Sequence, residues 1–155
     1  MESTVTANAD ELVIVRTFAA PPALVFAAWT DPRQLSRWIG PHGFSARNER
    51  LELRPGGAWH ATLRAPDGSE HRIRGIYREI EAPRRLVFSH AWEDGEGRLS
   101  PQTLVTVTFA EDGPGRTRMH FRQTGFATPE ARDAHDEGWS ASFERLTGAL
   151  AGAAA

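Results

Sequence analysis

The chain contains no cysteine. Disulfides, thiolate metal centres and thiol nucleophiles are therefore excluded. It has no apolar run of the length needed to span a bilayer, so no membrane insertion is expected. It also lacks a strong charge of either sign: 18 Lys and Arg face 20 Asp and Glu, for a formal net charge of −2. That balance leaves no electrostatic footprint for nucleic acid and no polybasic patch for an anionic membrane. Residues 1–11 are polar and carry no apolar core segment, so no signal peptide is expected and a cytoplasmic location is. Metal, phosphate and serine-hydrolase motifs are missing as well. There is no HExxH, no P-loop lysine and no GxSxG, and Gly56-Gly57 reads as a hairpin turn. No internal repeat is visible.

What is present is a chain of 155 residues, the size of one domain. That domain is expected over residues 10–152, with 1–9 and 153–155 as flexible termini. Its organising stretch is Thr128 to Gly152. Thr128-Pro129-Glu130 has the form of a helix start: a capping hydroxyl, proline at the first helical position, then an acid at the positive end of the dipole. His135, Trp139, Phe143, Leu146 and Leu150 then recur at steps of three or four and share one face. Asp133, Asp136, Ser140, Glu144 and Thr147 fall on the other. A helix with such a face needs a cover.

Upstream, Leu12 to Phe18 is a β-rich run. Pro22 opens a short helix through Trp29, and Asp31-Pro32-Arg33-Gln34 opens another that stops at Gly40-Pro41. Hairpin signals follow at Arg54 to Gly57, Pro66 to Gly68, Glu81 to Arg84 and Glu111 to Gly115. Between them the residues alternate. Trp59, Ala61 and Leu63 share a face, as do Ile73, Gly75 and Tyr77. The same holds for Leu86, Phe88, His90 and Trp92, for Val105, Val107 and Phe109, and for Met119, Phe121 and Gln123. This is an antiparallel sheet with one covered and one wet side. The expected fold is α+β: a curved antiparallel sheet of about six or seven strands wrapped around the terminal helix, with two short helices after the first strand. Such a sheet is roughly 30 Å across and a helix about 10 Å. Large side chains must fill the difference, or a cavity remains.

The element order resembles the helix-grip fold of the START/SRPBCC superfamily. Its motifs are similar to the branch named after the C-terminal domain of the activator of the ninety-kilodalton heat-shock chaperone's ATPase, the Aha-type family. The resemblance lies in Arg16 to Pro21 leading into Val25 to Pro32, in Leu35 to Pro41, in Leu53 to Trp59, in Gly75 to Ile80 with Arg85 to Phe88, and in Gly138-Trp139. It covers roughly residues 10 to 151. Where the family often has a histidine near the end of the last strand, this chain has Gln123. No separate N-terminal domain like the one with which the eukaryotic activator engages the chaperone is expected here.

Three functions follow as expectations. The first is a binding protein with a hydrophobic cavity for a lipid-like or aromatic molecule. Its walls would be Trp59, Tyr77, Phe88, Trp92, Val105, Val107, Met119, Phe121, Trp139 and Phe143, with His90, Gln123 and His135 as convergent polar groups. The second, which the resemblance implies, is a chaperone ATPase activator or stress-response partner. The third, also implied by the resemblance, is a cyclase or hydrolase of the polyketide kind, with His90 or His135 as acid and base. The binding reading is preferred to the enzymatic one, with no catalytic residue assigned, no cofactor, and a monomer or weak homodimer as the assembly. The six histidines, His42, His60, His71, His90, His120 and His135, show no metal-ligand spacing, and His60 and His120 fall on the wet face.

Overall fold

The computed structural model describes residues 3–154; Met1, Glu2 and Ala155 lie outside the described residues. Eight strands form one antiparallel sheet. They are β1 (Ser3–Asn8), β2 (Glu11–Phe18), β3 (Ser45–Leu51), β4 (Ala58–Arg64), β5 (Glu70–Glu81), β6 (Arg85–Glu93), β7 (Thr103–Glu111) and β8 (Thr117–Thr124). Between β2 and β3 come α1 (Pro22–Thr30) and α2 (Pro32–Trp38), and the chain ends in α3 (Pro129–Ala154). The sheet order is β1-β2-β8-β7-β6-β5-β4-β3. Among the described residues only the β2–β8 pairing joins strands distant in the chain; it runs from Glu11↔Thr124 to Phe18↔Thr117.

Two expectations are corrected. The sheet has eight strands, not six or seven, and the short helices follow the second strand. The extra strand is β1, which falls in the segment expected to be a flexible terminus and pairs with β2 from Ser3↔Arg16 to Asn8↔Glu11. All six of its residues are exposed, so its pairing with β2 rather than burial holds it, and the Val5–Ala7 alternation is too short to announce it. At the other end of the chain, α3 continues past Gly152 to Ala154.

The local chemistry explains the element ends. Thr128 Oγ1 accepts a hydrogen bond from the Ala131 amide at 3.1 Å, capping α3. Asp31 accepts from the Arg33 amide at 2.9 Å, capping α2, and that bond holds its carboxyl below the usual range. At Arg54 to Gly57 the turn closes through Gly57 N to Arg54 O at 2.8 Å, with Gly56 at φ 83° as a type II turn requires. Bulges at Asn48/Arg50 in β3 and Tyr77/Glu79 in β5 interrupt the register, and such bulges bend strands.

The covered face is the one the alternation marks. Leu12, Ile14, Trp59, Ala61, Leu63, Ile73, Tyr77, Leu86, Phe88, Val105, Val107, Phe109, Met119 and Phe121 are buried there. They meet Trp139, Phe143, Leu146 and Leu150 of α3 and Val25, Phe26, Trp29, Leu35 and Trp38 of the short helices in one core. Gly75 lies opposite Trp59 in the β4–β5 register. A Cβ there would overlap the Ser89 carbonyl and crowd the Trp59 indole nitrogen, so only glycine lets β5 pass.

A cavity between the sheet and the first turns of the long helix

Rings do not fill the interior evenly. Beside the N-terminal half of α3 lies a cavity of about 260 Å³. Leu63 of β4 and Ile73 of β5 form its floor, with His90 and Trp92 of β6 along one side. Ala134, His135, Gly138, Trp139 and Ser142 of α3 form its roof, and the loop Ile39-Gly40-Pro41 its lip. The helix leaves this room because Ala134, Gly138 and Ser142, at steps of four, set a small-residue row beside the bulky one. A Cβ on Gly138 would meet no atom within 4 Å.

The lip is tied to the helix. Gly40 N donates to Ser142 Oγ at 2.9 Å. The Arg145 guanidinium donates to the carbonyls of Gly40 at 3.0 Å, Pro41 at 3.2 Å and Arg37 at 3.1 Å. Four carbonyls drawn to one cation, Ile39 being the fourth, satisfy the end of α2 and fix its distance from α3.

The polar groups around the cavity fall into two kinds. Most are used up. Trp139 Nε1 donates to Gln123 Oε1 at 2.9 Å, Gln123 Nε2 donates to Thr103 Oγ1 at 2.8 Å, and Thr103 donates to the His90 carbonyl at 3.2 Å. Trp92 Nε1 donates to His135 Nε2 at 2.9 Å, while His135 Nδ1 lies 2.6 Å from the Ala131 carbonyl. A carbonyl can only accept and an indole N–H can only donate, so His135 is the neutral Nδ1–H tautomer. Its burial also lowers its pKa. The imidazole of His90 is different. It is 3% exposed, and among the described residues its ring bonds its own backbone and no neighbouring side chain. Burial, and then the neighbouring His135, push its pKa down to about 3, so the ring is neutral.

Of the expected wall residues, the structure brings four to this cavity: His90, Trp92, His135 and Trp139. Trp59, Tyr77 and Phe88 surround a separate void of about 20 Å³, too small for an organic ligand. Burial in the packed core accounts for Val105, Val107, Met119, Phe121 and Phe143. Gln123 is fully buried and spent on Trp139 and Thr103, which makes it a clip between helix and sheet rather than an open polar group. Sequence reasoning missed the lip, Leu63 and Ile73 as floor, and the small row on α3. The row was detectable as Ala134, Gly138 and Ser142 at steps of four; the lip was not, because its position depends on Arg145 and Ser142. Among the described residues no three His, Asp or Glu side chains converge as a metal site would require, and no helix is long and apolar enough to cross a membrane.

An antiparallel sheet closed on a long terminal helix, with two short helices after β2 and a void at one end, defines a helix-grip domain of the SRPBCC kind. The family model described as "Activator of Hsp90 ATPase homolog 1-like protein" matches residues 19–151, and the chain belongs to that family. A solution structure of a protein from Arthrobacter aurescens is 32% identical with a TM-score of 0.87, over 96% of this chain and 91% of that one. Protein Ms6760 from Mycobacterium smegmatis is 26% identical with a TM-score of 0.83, over 96% and 97%. The AHSA1 protein from Silicibacter pomeroyi, at 24% identity, a TM-score of 0.83 and 91% and 97% coverage, shares the fold. No curated protein matches the chain.

Proposed function

We propose that this protein binds a small, mostly apolar molecule carrying an aromatic ring. The observation that carries the reading is the 260 Å³ cavity whose apolar wall holds one buried imidazole, His90, that no neighbouring side chain engages. An imidazole has two ring nitrogens and the backbone takes one, so a ligand atom that meets the other gains a buried hydrogen bond. The volume sets the size class. It exceeds the roughly 150 Å³ that takes benzene and falls short of the roughly 300–1,000 Å³ of drug-sized sites. A single ring fits; an extended lipid or a polyketide does not. Among the described residues no carboxylate lines the cavity, and Ser142 Oγ is engaged with Gly40 N and the Gly138 carbonyl. A cyclase or hydrolase would lack a partner for His90 there.

The test is calorimetric or NMR titration with indole and toluene, on the wild type and on Gly138→Leu. Saturable binding to the wild type is expected. It should be lost in the variant, which fills the cavity from the helix side while its melting temperature holds or rises. No saturable binding by any ring-sized probe would remove the reading. The family's description supports a second role, stimulation of a chaperone ATPase, and an ATPase assay with the chaperone checks it separately.

A further inference from the structure

Three side chains, His90, Trp92 and His135, border two voids at once. On one side is the 260 Å³ cavity. On the other is a chamber of about 110 Å³ completed by Ser100, Pro101, Thr103, Phe126, Ala127 and Ala131. The hydrogen bond from Trp92 Nε1 to His135 Nε2, 2.9 Å long, stands between them. The bond from His135 Nδ1 to the Ala131 carbonyl braces it. Trp92 and His135 are only half-buried, so their rings are the movable part of this wall. The His90 ring is not: it is buried, with its centroid 5.6 Å from those of both Trp92 and His135.

We propose that the two chambers are one site divided by the Trp92–His135 hydrogen bond, and that its ligand is a ring bearing a polar atom and a short apolar tail. The ring sits in the inner chamber against Ile73 and Trp139. The polar atom meets His90 at the junction, and the tail passes between Trp92 and His135 into the outer chamber. The inference rests on the inner cavity being a ligand site, as proposed above. Its chemistry follows from the wall. A neutral imidazole offers one donor and one acceptor but no charge, which suits a ketone, ester or phenol and not a carboxylate. Volume supports the pairing, since the inner chamber alone falls below the usual range of organic-ligand sites and the two together enter it.

Phenyl alkyl ketones from acetophenone to hexanophenone, titrated into the full chain by calorimetry, test this. The readout is the ratio of hexanophenone to acetophenone affinity. Trp92→Phe keeps the ring but removes the donor, so the tail no longer has to break a hydrogen bond; the ratio should rise about tenfold, the equivalent of one such bond. Adding Ala127→Phe, which fills the outer chamber from its exposed side, should return the ratio to the wild-type value. His90→Phe should abolish the preference for acetophenone over ethylbenzene. An unchanged ratio in Trp92→Phe, or a raised ratio that survives Ala127→Phe, overturns the divided site even if acetophenone binds. If no ketone and no indole binds the wild type, the reading of the inner cavity has failed first. Circular dichroism spectra of each variant establish that it is folded.

Discussion

The two ends of the interior meet the same packing problem in opposite ways. Toward α1 and α2, rings fill space. Trp29 is surrounded by Trp38, Trp139, Phe143 and Phe121 at centroid distances of 4.8, 5.8, 6.0 and 6.4 Å. Toward the first turns of α3, rings line space instead. Trp92, His90, His135 and Trp139 stand around a void, with Ala134 and Gly138 opposite. The difference lies within one helix, whose adjacent rows are bulky and small. It teaches that a helix-grip core can be stable without being full when most polar atoms bordering the void, those of Trp92, His135 and Trp139, are hydrogen-bonded to neighbouring residues.

The sharpest way to break this comparison is to remove the residue that serves both ends. Trp139→Ala should destabilise by about 3–5 kcal/mol, since it opens the packed end and orphans Gln123 Oε1. Urea unfolding measures it; a cost under about 1 kcal/mol would show that the rings are not packed as described.

Acid should act mainly through the hollow end. His90 is pushed down to about 3 in the folded protein from an ordinary 6.5, so the unfolded chain takes the proton first. The stability from keeping this ring neutral is present above pH 6.5 and is lost as pH falls toward 3. Linkage sets the loss at roughly 3 kcal/mol by about pH 4. His135, whose pKa is also lowered by burial, adds a loss of the same sign. His90→Phe should flatten the decline between pH 6.5 and 4 in urea titrations. An unchanged slope would mean that His90 is charged or solvated in the folded state.

One substitution at two glycines should give opposite signs. Gly75→Ala forces a Cβ into the Ser89 carbonyl and should cost about 1–3 kcal/mol. Gly138→Ala meets open space within a helix and should stabilise by about 0.5–1 kcal/mol. Equal signs in thermal melts would mean that the void beside Gly138 is not there. Smallest of all, Ser140→Ala, outside the buried row, should change stability by under about 0.5 kcal/mol.

Much of the architecture was legible in the residues. The steps joining His135, Trp139, Phe143, Leu146 and Leu150 marked the buried face of α3, and Asp31 and Thr128 marked the starts of α2 and α3. Strand β1 was not legible, because Ser-Thr-Val-Thr-Ala-Asn buries nothing and its pairing depends on β2. The candidate site was half legible. Alternation placed His90, Trp92 and Gln123 on the inner face. It could not tell that Gln123 would be consumed by Trp139 while His90 would be left facing a void.

The sequence by itself determined every element but β1, their order and which side of each is covered. These follow from periodicity, turn residues and caps, all of which act over a few residues. Only the tertiary structure decided where the room is, what closes it and which imidazole no neighbouring side chain engages. A void is the difference between volumes contributed by β4, β5, β6, α3 and the Ile39-Gly40-Pro41 loop. No local pattern encodes a difference between segments a hundred residues apart.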